Sequence, residues 1–461
     1  MHAVIKGVCL CLLMVSQTAA PVEGSPRKIF PYPIHQTVLD NGFKVISIPF
    51  DSPGIVSYYT VVRAGSRNEV EPGLSGFAHF FEHMMFRGTE RYSKDQYNQA
   101  LKSIGADNNA FTTDDYTAYH TLASADALDT IMDVESDRFK NLKYSVEDFK
   151  TEAGAILGEY NKNYSSPIQT IFEKLNDAAY QVHTYKHTTM GFLKDIQGMP
   201  NQYDYSLKFL DRWYRPEHSA LIVVGDVKHP TLVESAKQYY GSWKRGSYTL
   251  QVPVEPPQTE ERLVEVSWKA QTLPILAIGY HGPAFSDSTV DMPAMDLLSQ
   301  VVFSQASDLF RQLVIEEQLV EFVQGGQPDS RDAGMFTIFT RIKDPKNIER
   351  VRKAVYAAID EAKTKPVAAE RLAEIKSHLK YDFAMRLDNA DAIARTISHY
   401  VQLTGEPDAV NRVYEMYDRV SPQDILMVAN KYFSPNNRTV VLLKQEDAFK
   451  KGAEVQHREK Q

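Results

Sequence analysis

The 461-residue chain is almost without cysteine: only Cys9 and Cys11 occur, both near the N-terminus. A chain cut after that stretch carries no thiol, which excludes disulfides and thiolate zinc ligands and leaves histidine and carboxylate as metal donors. Long apolar runs are missing as well. Beyond residue 20 nothing approaches the roughly 18 consecutive apolar residues of a membrane-spanning helix, so the mature protein is expected to be soluble. There is no surplus of positive charge: 51 Lys and Arg against 59 Asp and Glu give a net charge of −8, which argues against a nucleic-acid binder. Apolar content is ample at 43%, and the length calls for two or three domains rather than one.

Both cysteines fall in residues 1–20, which have the pattern of a secretory signal peptide. Lys6 supplies positive charge, Val8 to Val15 an apolar core, and Ser16 to Ala20 a small-residue exit. Pro21 is awkward directly after a cleavage site, so the cut is placed between there and Gly24. The expected compartment is the periplasm.

One short stretch organises the rest. His79, Glu82 and His83 form H-x-x-E-H within Gly76–Phe86. On a helix, residues four apart share a face, so two neutral imidazoles can hold one zinc ion. Glu82 lies one turn from His79 and can reach a water on that metal without being a ligand. Taken alone, the three could be ordinary residues of a half-exposed helix. Ala78, Phe80, Phe81, Met84 and Met85 argue otherwise, because an unliganded histidine pair in apolar surroundings is costly. A third ligand has a candidate. Ser145 to Asp148 reads as a capping box that opens a helix through Tyr160, with Glu152 and Glu159 two turns apart on one face.

H-x-x-E-H, a glutamate 76 positions after the second histidine, and another seven before it together resemble the pitrilysin/insulinase family of zinc peptidases, the inverzincins. Further stretches agree: Arg63 to Glu69, Arg87 to Thr89, Gly105 to Thr112, Thr117 to Tyr119 and Tyr214 to Asp226. The resemblance covers roughly residues 33–445. It implies that His79, His83 and Glu159 hold one Zn²⁺, that Glu82 is the general base, and that Glu152 orients a ligand. It also implies that the edge strand around Asn109, Ala110 and Phe111 binds substrate by strand addition.

The first half reads as two short strands around Asn41-Gly42, a strand at 55–62, and helices at about 74–86 and 93–104. Strands at about 108–113 and 117–123 follow, then helical stretches at 125–142 and 145–164. This mixture is α+β. His183 and His187 tempt as a second metal pair, but they sit on a stretch with no strong helical period and are rejected. His120 is expected to be a packed or surface residue.

Gly246 to Glu260 is rich in proline and polar residues and reads as a linker, placed at 246–261 between an N-terminal domain of residues 28–245 and a second domain of residues 262–447. The second domain looks like a diverged copy of the first. Pro216–Val224 has a counterpart in Pro435–Leu443, an offset of 219, and Gly65 has one in Gly282, an offset of 217. At that offset the metal motif falls near Asp296 to Gln300, with no His or Glu, so only the first domain is expected to hold zinc. Residues 448–461 form a charged tail.

The resemblance implies two homologous α/β-sandwich domains that make one half of a clamshell around the substrate. Many family members bind the substrate backbone with an Arg and a Tyr of the second domain; here Val314 and Glu321 stand in those places. The expectation is therefore a zinc metalloendopeptidase acting on unfolded peptides, working beside a homologous subunit, with a homodimer as the rival arrangement. The alternative function is a non-catalytic scaffold, as in respiratory-complex core subunits of the same fold.

Overall fold

The computed structural model describes residues 28–446, so the expected signal segment and charged tail lie outside the described residues. Two sheets organise the chain. The first contains β1 (His35–Val38), β2 (Lys44–Pro49), β3 (Ile55–Val62), β4 (Asp107–Thr112), β5 (Thr117–Ser124) and β6 (Ser219–Gly225), in the order β1-β2-β6-β3-β5-β4. The second contains β7 (Arg262–Trp268), β8 (Ile275–His281), β9 (Val320–Gly326), β10 (Met335–Ile342) and β11 (Arg438–Gln445), in the order β7-β11-β8-β10-β9.

The second order repeats the first from β2 onward. In each sheet the last strand returns beside the first strand of the shared pattern in parallel, β6 on β2 and β11 on β7, and every other pairing of that pattern is antiparallel. The short turns Pro216–His218 and Pro435–Asn437 lead directly into β6 and β11. This is the duplication expected from the offset of 219.

Local chemistry sets the element boundaries. The β1–β2 connection closes at Gly42, whose φ of +90° suits glycine. Helix α1 (Phe77–Met84) begins later than its apolar pattern suggests, because Gly73 and Gly76 both sit at positive φ, 81° and 92°. Helices α2 (Lys94–Ser103) and α4 (Val146–Asn163) open on the capping boxes of Ser93 with Gln96 and Ser145 with Asp148. Between them runs α3 (Leu128–Asn141).

The helix that follows α4 does not stay with its own domain. In α5 (Pro167–Ala179), Ile171, Leu175 and Ala179 form one apolar stripe. It packs on Ile275 and Ala277 of β8 and on Val441 and Leu443 of β11, all in the second sheet. Reciprocally, Ile393, Ala394, Ile397 and Val401 of the helix Ala390–Thr404 cover Ile46, Ile48, Tyr59, Val61, Ile222 and Val224 of the first sheet. Each domain covers one face of the other's sheet. The segment between Gly246 and Glu260 is extended, and it is fastened: the Glu255 carboxylate accepts the backbone N–H groups of Gln181, Val182 and His183 at 2.6, 2.9 and 2.9 Å.

Candidate metal centre

Helix α1 carries His79 and His83 toward α4, which presents Glu159. His79 Nε2 and His83 Nε2 lie 3.7 and 3.4 Å from the same Glu159 oxygen. One donor atom from each of the three residues lies within 4.8 Å of the others, and no other group of three such donors of this kind occurs among the described residues.

The surroundings prepare these donors. Burial, reinforced by neighbouring His83, holds the His79 pKa down to about 4, so its imidazole is neutral at neutral pH. Burial also pulls on His83, but the Glu152 hydrogen bond and the charges of Glu152, Glu159 and Glu82 outweigh it, and the His83 pKa is raised. Glu152 Oε1 stands 2.9 Å from His83 Nδ1, and its other oxygen takes the Arg87 guanidinium. A carboxylate on Nδ1 fixes the tautomer whose Nε2 lone pair faces Glu159. Burial works against charge on Glu152, yet the bonds from His83 and Arg87 win and its pKa is lowered. Two imidazole nitrogens and one carboxylate match the protein donor set of a catalytic zinc site, so these residues fit that ion.

Glu82 is outside the triad. Its side chain turns to β4, where Thr112 Oγ1 donates to Oε2 at 2.6 Å. Burial raises the Glu82 pKa and the Thr112 bond pulls it back only in part. Glu82, His83, Arg87, Lys94, Asn109 and Glu152 line one open pocket of about 260 Å³. The general-base candidate, one metal-ligand candidate and the edge strand thus share one wall.

Strand β4 is terminal in its sheet. The hairpin to β5 closes with Thr113 N–H donating to Tyr116 O. Alternation from that pair turns the backbone of Phe111 and Asn109 toward β5 and that of Asn108, Ala110 and Thr112 toward the open edge. Ala110 N–H is taken by the Asn109 side chain at 2.9 Å. Of the three residues expected to bind substrate, Ala110 turns its backbone to the edge, Asn109 covers its N–H, and Phe111 packs its ring against Tyr116, with centroids 5.6 Å apart.

Sequence reasoning missed the role of Glu69. This carboxylate is buried and accepts the N–H groups of Gly76 and Ala78 at 2.7 and 2.6 Å, closing the N-terminus of the helix that carries His79 and His83. The left-handed Gly76 seven residues on was the available signal. His183 and His187 are not ligands together. His183 Nε2 pairs with Asp332 at 2.9 Å, and His187 Nδ1 lies 3.1 Å from Thr188 O. His120 stacks on Tyr59, with ring centroids 5.0 Å apart. Val314 is half-buried, and Glu321 on β9 pairs with Arg341 at 3.3 Å.

The family description "Insulinase (Peptidase family M16)" matches residues 50–192 and "Peptidase M16 inactive domain" matches residues 202–379. The chain is 27% identical over 419 residues to a zinc protease PqqE of Helicobacter pylori, covering 89% of this chain and 93% of that protein. It is 22% identical to a probable mitochondrial-processing peptidase subunit beta of Arabidopsis thaliana, covering 89% of this chain and 78% of that one. Its fold matches the crystal structure of a protease from Helicobacter pylori with a TM-score of 0.82 and 26% identity, over 90% of this chain and all of that one. The periplasmic protease PqqL of Escherichia coli matches with a TM-score of 0.74 and 19% identity, over 91% of this chain but 48% of that one. With both of its domains matched and the motif helices in place, the chain belongs to the pitrilysin/insulinase (M16) peptidase family.

Proposed function

We propose that the chain is a zinc metalloendopeptidase of unfolded peptides. The observation that carries this reading is the convergence of His79, His83 and Glu159 on one point, with Glu82 beside it and held out of the ligand set by Thr112. Zinc in this position would supply Lewis acidity toward the scissile carbonyl and acidify a water. The chain's own residues do the rest. Strand β4 pairs with the extended substrate through the outward backbone of Ala110. Glu82, at its raised pKa, accepts the proton of the attacking water and returns it to the leaving amine. Glu152 keeps His83 in the correct tautomer, and Arg87 keeps Glu152 charged.

The test is metal content and turnover of an unstructured fluorogenic peptide by the purified chain. Glu82→Gln is expected to keep zinc and lose about 10²–10⁴ in rate, whereas His79→Ala or Glu159→Ala loses the metal itself. Retained turnover in Glu82→Gln would refute its role as base.

The reading includes a second, related subunit. Val314 and Glu321 supply neither the Arg nor the Tyr that many family members use on the substrate backbone, and one relative is named as a subunit of a processing peptidase. Co-purification of the native protein decides between such a partner and a homodimer; an active homodimer as the sole species would sink the heterodimer. The periplasm is the proposed location, supported by the pattern of residues 1–20, and cell fractionation tests it. A scaffold role is the second reading, favoured by the fold match to a structure titled as an M16 inactive domain, 14% identical. A chain that binds no zinc would favour it.

A further inference from the structure

Behind β4, on the face turned away from α1, lies a cavity of about 740 Å³ where the two domains meet. Phe111 and Tyr116 form its wall on the first domain; Arg386, Arg395 and His399 face them from the second. Two carboxylates also line it, and both are engaged. Asp329 lies 3.0 Å from His399 Nε2, and Asp296 accepts the Tyr417 hydroxyl at 2.6 Å. Burial pushes Asp296 up to about 6, against the pull of the Tyr417 hydroxyl and of the nearby Arg386. Arg386 and Arg395 are exposed residues, and neither is in a salt bridge with a described residue; Arg395 lies over the Phe111 ring at 4.8 Å and beside the Tyr59 hydroxyl, and Arg386 stands beside the Tyr414 hydroxyl. Arg386 and Arg395 are thus the cationic groups of the lining without a carboxylate in direct contact among the described residues.

Its position ties it to the edge strand. Phe111 belongs to β4, and the next residue, Thr112, holds Glu82 on the opposite face. A peptide paired with β4 sends alternate side chains to the two faces of the sheet. Those on the α1 side meet the metal centre; those on the other side meet Phe111 and the arginines.

We propose that this cavity is a specificity subsite for a carboxylate of the peptide that pairs with β4, received by Arg386 and Arg395. Guanidinium groups match a carboxylate in geometry and charge, and an aromatic wall lowers the competition from water. The inference rests on the peptidase reading of the neighbouring centre.

The test uses the full chain with Glu82→Gln, together with any subunit that co-purifies with it, so that peptides bind without being cut. Labelled, C-terminally amidated peptides with one internal Glu are compared by fluorescence anisotropy with their Gln twins, and a Gln peptide with a free C-terminus is the third probe. The Glu peptide is expected to bind about tenfold tighter than its twin at low salt. That ratio falls to about one in Arg386→Gln/Arg395→Gln, and also in Arg386→Gln/Arg395→Met, which retains the stack on Phe111. Tighter binding of the free C-terminus instead would assign the same subsite to a terminal carboxylate. Equal binding of all three probes overturns the inference alone; no binding of any probe overturns the peptidase reading with it.

Discussion

At the scale of single residues, the metal centre is an arrangement of protons as much as of ligands. Glu82 is useful as a base only when ionised, and burial raises its pKa. Thr112 is the side chain that opposes this, so Thr112→Val is expected to raise the pKa further. The acidic limb of kcat/KM then moves to higher pH, because less of the base is ionised at any pH below its pKa; a pH–rate profile reads the shift. Glu152 acts one bond further out. Glu152→Gln leaves the donor set intact but loosens the tautomer and the Arg87 pair, and zinc affinity is expected to fall about 10–100-fold in a chelator competition.

At the scale of elements, β4 has two sides: its inner groups hold the sheet together, and its outer groups face the open edge, where a peptide would have to displace the Asn109 side chain from Ala110 N–H. Proline at Ala110 removes an outward N–H and leaves the β5 ladder whole, as suits an edge strand. Ala110→Pro is therefore expected to keep its zinc and its melting temperature and lose about tenfold in kcat/KM on peptides. The same scale separates what the sequence could tell from what it could not. Capped helices such as α2 and α4 were legible because Ser93 and Ser145 act on residues three positions away. The convergence of His79, His83 and Glu159 was legible because helical spacing brings the two histidines together, and because the family spacing picked out Glu159. Glu69 was not, since its partners are reached only after two left-handed glycines turn the chain back. Nor was the destination of α5: Ile171, Leu175 and Ala179 announce a buried stripe, but nothing local says which sheet receives it.

At the scale of the whole molecule, the domains are fastened by polar contacts as well as by exchanged helices. Asp332 of the second domain takes Arg67 Nε at 2.5 Å and His183 Nε2 at 2.9 Å from the first. Burial opposes its charge, but the bonds from His183 and Arg67 hold its carboxyl well below the usual range. A depressed folded-state pKa stabilises the fold above the unfolded-state value near 3.9, and that contribution is lost as pH falls from there toward the folded value. Asp332→Asn should therefore cost about 1 kcal/mol at pH 7, and the difference from the parent should close below about pH 4 in calorimetric scans.

The exchanged helices also govern how the protein can be made. The first sheet keeps one apolar face bare until residues 390–404 have been synthesised, long after its last strand, β6, is complete. On a ribosome adding roughly 5–20 residues per second, the first domain waits many seconds for the helix that seals it. Its early life is that of a sticky intermediate, and the demand for chaperones should fall on that interval. A chain truncated after residue 245 should aggregate, whereas the same fragment co-expressed with residues 246–461 should be recovered with it as one soluble complex.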